Sequence, residues 1–404
     1  MNHQLATAAT RNFVSNQPLK LRPILDGAFR ANPNYELVLF GRLPVEQREL
    51  FEALTRDPNF YGILRPKEGV QLALKSACRD TAALFHALQE TSKLPSFVVS
   101  DTSPESTVET NQAIAELVLD GVLQMDCNGQ MLHGPLAFAD ICESFEKSDP
   151  KNEIAHLSRQ ALLYAQSLPT DDANLLATRL YSYGRIAISP SWRKKFPGEE
   201  SVRQCLGIDA GGLKGWQALP PDPNNNGWIA WQSRRPSPPP GGRVAGYKLY
   251  VSPHPNSLRE AFEALVSAAE AAHADAFKVG RDLPGVLRPD KMVAYFRQFE
   301  QVEEAAGRIV AKLPGCPAQG VPFTTQLGSP LVSWGSDPAT EDDVPVWLSR
   351  QSWRLWVTNR LAVALLAGKR SGQTEIQPWQ FATERLRLEG VDTDTWTPLK
   401  KEQN

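Results

Sequence analysis

Between residues 247 and 334 the chain alternates strand-length apolar runs with two amphipathic helical repeats, and few architectures accommodate that order. Residues 247–251, 276–279, 292–296 and 321–326 read as extended segments. Between the first two, Ser257-Leu-Arg-Glu260 reads as a capping box that opens a helix with Leu258, Phe262, Leu265, Val266 and Ala269 on one face. After the third, Val302, Ala306, Ile309, Val310 and Leu313 repeat at the same spacing. The order β-α-β-β-α-β predicts a sheet with both helices packed on one face, and the fold class expected is α+β.

At 404 residues the chain is longer than one hydrophobic core usually supports, so several domains are expected. Residues 1–148 read as winged-helix-like. Residues 80–88 and 111–119 have helical spacing, and the extended runs 122–125 and 130–133 meet at Asn128-Gly129, a dipeptide suited to a two-residue hairpin turn. Residues 149–242 contain helical stretches at 154–167 and 173–183, then turn irregular and end in the Pro/Gly-rich run 236–242, taken as a linker. Residues 243–404 form the third unit, with a helix around Trp347, Trp353 and Trp356 and a tail bearing Trp379 and Trp396 expected to close over the sheet.

No apolar run approaches the roughly 18 residues a membrane span needs, and the first residues lack a signal-peptide pattern, so a cytoplasmic protein with no membrane partner is expected. The five cysteines stand far apart, which speaks against a disulfide framework and a zinc centre. No metal or cofactor is expected. A formal net charge of -2 gives no pull toward nucleic acid, and the helix expected at 111–119 carries neither Lys nor Arg. There is no Gly-x-Ser-x-Gly elbow and no kinase signature, and Gly280-Arg-Asp-Leu-Pro-Gly285 lacks the third glycine and the following helix of a nucleotide loop.

What remains is a set of charged residues in apolar strands. Lys248 interrupts Tyr-Lys-Leu-Tyr-Val, Lys278 interrupts Ala-Phe-Lys-Val, and Arg288-Pro-Asp290-Lys291 stands just before Met-Val-Ala-Tyr295-Phe. Two readings are open. A lysine in a half-exposed strand is often simply its wet face, and the Arg288/Asp290/Lys291 group could cap a turn. If the strands lie side by side, the cations instead converge on a site for an anion such as phosphate, and a lysine crowded by cations becomes a usable base. His254, in Ser-Pro-His-Pro, is a candidate proton donor or a turn residue.

The succession Tyr-Lys-Leu-Tyr-Val-Ser-Pro, Ala-Phe-Lys-Val, Leu-Arg-Pro-Asp-Lys-Met-Val-Ala-Tyr-Phe and Val-Pro-Phe-Thr-Thr-Gln-Leu resembles the Hop-A type III effectors and the phosphothreonine lyases. It also resembles the lyase components of dehydratases that modify ribosomally made peptides. This resemblance covers about a quarter of the chain. It implies cofactor-free β-elimination of phosphate from phosphorylated Ser or Thr. Lys278 would take the Cα proton, and Lys248, Arg288 and Lys291 would hold the phosphate. Tyr295 would orient or donate, with Asp290, Arg243, Thr324 and Gln326 at the substrate. The lyases carry Lys-x-His where this chain has Lys248-Leu-Tyr250, so Tyr250 or His254 would replace the acid. The implied partners are a phosphorylated precursor peptide and a separate kinase subunit. The rival reading is a non-catalytic protein that binds a phosphorylated or acidic partner through the same cations.

Overall fold

The computed structural model describes residues 20–99, 103–143, 149–208, 212–220, 227–235, 246–338, 351–372 and 375–398. Arg243, Trp347 and the run 236–242 lie outside the described residues. The N-terminal part contains β1 (Phe29–Ala31), β2 (Tyr35–Leu39), β3 (Phe60–Pro66), β4 (Lys75–Cys78), β5 (Leu123–Cys127) and β6 (Gln130–Leu132), arranged as the sheets β2-β3-β4 and β1-β5-β6. Asn128 and Gly129 take φ values of 54° and 86°, which is the conformation that joins β5 to β6 in two residues. The helices Arg79–Ala87 and Pro104–Leu119 precede this hairpin. The second begins seven residues earlier than the apolar spacing suggests. Ser103 caps it by accepting from the Ser106 N–H, and Pro104 fills the first position, where a missing N–H is harmless.

The larger sheet has seven strands in the order β12-β13-β9-β11-β10-β8-β7. They are β7 (Trp216–Ala218), β8 (Trp228–Ser233), β9 (Tyr247–Val251), β10 (Ala276–Gly280), β11 (Met292–Phe296), β12 (Thr325–Leu327) and β13 (Ser329–Ser336), and every neighbouring pair is antiparallel. Helices Leu258–Ala271 and Phe299–Lys312 cover one face, packing on Leu249, Val251, Phe277, Val279, Met292, Ala294 and Phe296. Strands β7 and β8 come from before the proline run, so a boundary at 242 would cut through this sheet. The capping box at Ser257 is not formed: Ser257 makes no side-chain cap bond, because a 3-10 turn, Pro255–Ser257, leads into the helix.

The chain then sends the helix Trp353–Arg370 across to the other part of the molecule. Its start lies on the sheet, where Trp353 rests on Gly335 and its Nε1–H donates to the Phe323 carbonyl at 2.9 Å. The remainder is buried elsewhere. Val357, Leu361 and Leu365 share a core with Ile114 and Val118 of the N-terminal part, Leu162 and Leu176 of the middle helices, and Phe381. The helix expected to close over the sheet is therefore mostly a core element beside the sheet, packed chiefly on the helices Ala173–Ser182 and Pro378–Leu388. Among the described residues, no helix is long and apolar enough to cross a membrane, and no cluster of side chains is suited to a metal ion.

Candidate active site

Strand alternation gives each residue of the larger sheet a fixed side. The helix-covered face takes the odd positions of β9 and the even positions of β11, leaving Lys248, Tyr250, Val293 and Tyr295 on the other. Register lines these up in ranks. Lys278 pairs with Val293, which pairs with Tyr250, while Tyr295 pairs with Lys248 in the adjacent rank. The two strand lysines therefore share one face of the sheet.

Arg288 joins them from the loop between β10 and β11, by way of Trp228. Lys278 Nζ stands 4.2 Å from the centre of the Trp228 ring, and the Arg288 guanidinium 4.7 Å from the same centre. The ammoniums of Lys248 and Lys278 each lie 5.6 Å from the Tyr295 ring centre. Burial, with the nearby charges of Lys248 and Arg288, pushes the Lys278 ammonium down to about 8. Burial raises the phenols of Tyr250 and Tyr295, so both remain neutral hydroxyls near neutral pH. The arrangement thus offers a lysine that can lose its proton near neutrality, two further cations and two phenols.

Two carboxylates hold the cations. Asp290, 3% exposed, pairs with Arg288 at 2.5 Å and with the buried Arg354 at 2.9 Å, and accepts from the Tyr181 hydroxyl at 3.0 Å. With two guanidiniums against it, its carboxyl stays well below the usual carboxylate range despite its burial. Asp337 pairs with Lys248 through Oδ2 and accepts the Trp353 backbone N–H through Oδ1 at 2.9 Å.

Several candidates do not join the cluster. Lys291 is fully buried, and its ammonium donates to the Pro253 carbonyl at 2.9 Å and to Gln319, an internal strut in place of a phosphate ligand. His254 caps the 3-10 turn by accepting the Asn256 N–H at 3.3 Å, and its ring lies against Trp192. Thr324 is fully buried, donates to the Val321 carbonyl at 2.6 Å and shares a hydrogen bond with the Ser333 hydroxyl at 2.8 Å. Gln326 donates to Glu153 and accepts the Ile154 N–H, tying the middle helix to the sheet edge. Asp290 orients Arg288 and is too enclosed to face a substrate directly.

Sequence reading missed Tyr181, Trp228, Asp337 and Arg354. Trp228 alone left a signal, as one of two tryptophans in Trp-Ile-Ala-Trp, a pattern of alternating burial. The other three come from distant segments whose approach no local pattern encodes.

No family model and no curated protein matches the sequence. Among solved structures, an effector protein from Pseudomonas syringae pv. tomato superposes with a TM-score of 0.41 at 11% identity, over 61% of this chain and 97% of that one. An effector from Pseudomonas syringae pv. syringae gives 0.39 at 13%, over 62% and 99%. The phosphothreonine lyase effector VirA (SpvC) of Chromobacterium violaceum gives 0.28 at 15%, over 48% and 93%. Scores of this size do not establish a shared fold.

Proposed function

We propose that the chain is a lyase that removes phosphate from a phosphorylated Ser or Thr of a peptide by β-elimination, without a cofactor. The observation that supports this reading is Lys278, a lysine pushed down to about 8 on the same face as Lys248 and beside Arg288. In the proposed step the neutral Lys278 amine takes the Cα proton, and that electron pair forms the Cα–Cβ double bond. The Cβ–O bond breaks, phosphate leaves with its electrons, and a dehydroamino acid remains. Arg288 and Lys248 offset the charge on the departing phosphate, with Arg288 suited to a forked contact. Tyr250 and Tyr295, as neutral hydroxyls, supply hydrogen bonds, and the sequence resemblance alone gives Tyr250 the place of the proton donor. The chain has no kinase signature, so a separate kinase would make the substrate. The sequence resemblance alone suggests the setting, maturation of a ribosomally made peptide.

One observation favours a second reading, phosphopeptide binding without chemistry: the acid position holds Tyr250, a fully enclosed phenol with its pKa pushed up. Mass spectrometry of phosphoserine and phosphothreonine peptides separates the two. Elimination predicts loss of the elements of phosphoric acid, and Lys278→Ala should slow it by roughly 10²–10⁴ while the peptide still binds. Tight binding with no mass change in the wild-type protein would select the second reading.

A further inference from the structure

Lys248 and Arg288, the two cations assigned above to the phosphate, are held through one carboxylate each by the first turn of the same helix. Asp337 uses one oxygen for Lys248 and the other for the Trp353 backbone N–H, at 2.9 Å. Asp290 bridges Arg288 and the side chain of the next residue, Arg354, at 2.5 and 2.9 Å. Arg354 is 1% exposed, and it donates to the Pro322 carbonyl at 3.2 Å and the Tyr181 carbonyl at 2.7 Å. The helix start is itself fixed by Trp353 Nε1–H on Phe323 and by Ser352, which accepts the Leu355 N–H.

We propose that the first turn of the helix Trp353–Arg370 sets the spacing of Lys248 and Arg288, with Asp337 and Asp290 as positioning residues. A flexible lysine on a strand can place its ammonium over a wide arc, and a carboxylate anchored at both oxygens removes that freedom. Preorganised charge is what stabilises a developing anion without further reorganisation. Asp337 also lowers the net positive charge that a bound phosphate meets. Its removal should therefore strengthen simple anion binding while loosening the geometry that chemistry needs.

This inference rests on the lyase reading for its catalytic part, and Asp337→Asn tests it. Asparagine keeps the shape and can still accept the Trp353 N–H, so the fold is retained while the ion pair is lost. Inorganic phosphate binding, followed by calorimetry, should tighten by roughly 3–10-fold as the site gains a net positive charge. The kcat for elimination should fall at least about tenfold with KM unchanged or lower. Lys278 faces Lys248, Arg288, Asp290 and Asp337, and Asp337 is among the groups that hold its proton on. Removing that carboxylate should move the pH midpoint of elimination to lower pH, a shift a purely structural cap would not produce. If wild type eliminates phosphate and the variant leaves phosphate affinity, kcat and pH midpoint unchanged, the positioning role is wrong and the lyase reading stands. If neither protein eliminates phosphate, the lyase reading fails; tighter binding by the variant then shows only that Asp337 offsets the charge of an anion site, and the positioning role falls with the chemistry it was to serve. Absence of phosphate binding in both proteins overturns the positioning role.

Discussion

Lys278 is held where a charged ammonium is uncomfortable. Its folded pKa is about 8, below the ordinary lysine value, so the unfolded chain binds more protons between about pH 8 and about pH 10.4. In that window stability rises with pH, and the cost of burying the charge is fully present below pH 8. Lys278→Met should therefore stabilise the fold at pH 7 by about 1–3 kcal/mol after discounting partial exposure, and the gain should vanish above about pH 10.5. Thermal melts of the two proteins across this range check it. A variant equal to or less stable than wild type at pH 7 would mean that the ring contacts to Trp228 and Tyr295 offset the burial. At this scale the sequence was informative where a cation interrupted an apolar strand, as Lys248 and Lys278 do. It misled at Lys291, which by spacing alone belongs with Arg288 but whose ammonium meets backbone and amide oxygens inside the protein.

The loop that delivers Arg288 depends on a close backbone approach. Gly280 ends β10, and a Cβ added there would overlap the backbone of Gly285, whose own N–H donates to Asp282 Oδ1 at 2.8 Å. The two glycines in this stretch thus serve packing and no nucleotide phosphate. Gly280→Ala should cost about 1–3 kcal/mol and displace the Arg288 end of the loop, so phosphate affinity should drop together with stability. Chemical denaturation and phosphate titration of this variant provide the check. Elements were legible where their apolar positions repeat, whatever their length. β9 and β11 were read to the residue and β10 nearly so, and the two sheet helices were read by their apolar faces but not their ends, the second beginning at Phe299 ahead of the first apolar position read, Val302. Strands β7 and β8 were hidden by the prolines, asparagines and glycines around them, and β13 by the short glycine turn that precedes it. Their Trp, Ile and Val residues favour strands, but non-local sheet pairing decides the outcome.

At the scale of the molecule, the described residues form two large cores, one under the sheet helices and one joining the N-terminal part to the middle and C-terminal helices. Trp353 is 3% exposed at the point where they approach, with its ring on Gly335 of the sheet and the helix behind it running into the other core. Trp353→Ala should destabilise by about 3–5 kcal/mol. It should also split a shared unfolding transition into two, which scanning calorimetry would resolve; one undivided transition would show that other contacts join the cores. This arrangement was not legible in the sequence, since the tryptophan spacing identifies a buried helix but not which core buries it.

The placement of that helix also bears on what could be transplanted. A sheet excised with its two covering helices would bring Lys248, Lys278 and Arg288 to a new host, yet Asp337 and Asp290 would have nothing to anchor against. The smallest portable version of this cation cluster therefore includes the helix Trp353–Arg370 and the apolar bed in which it lies. Exchanging the N-terminal part for another domain would require rebuilding the side of that bed which Ile114 and Val118 supply.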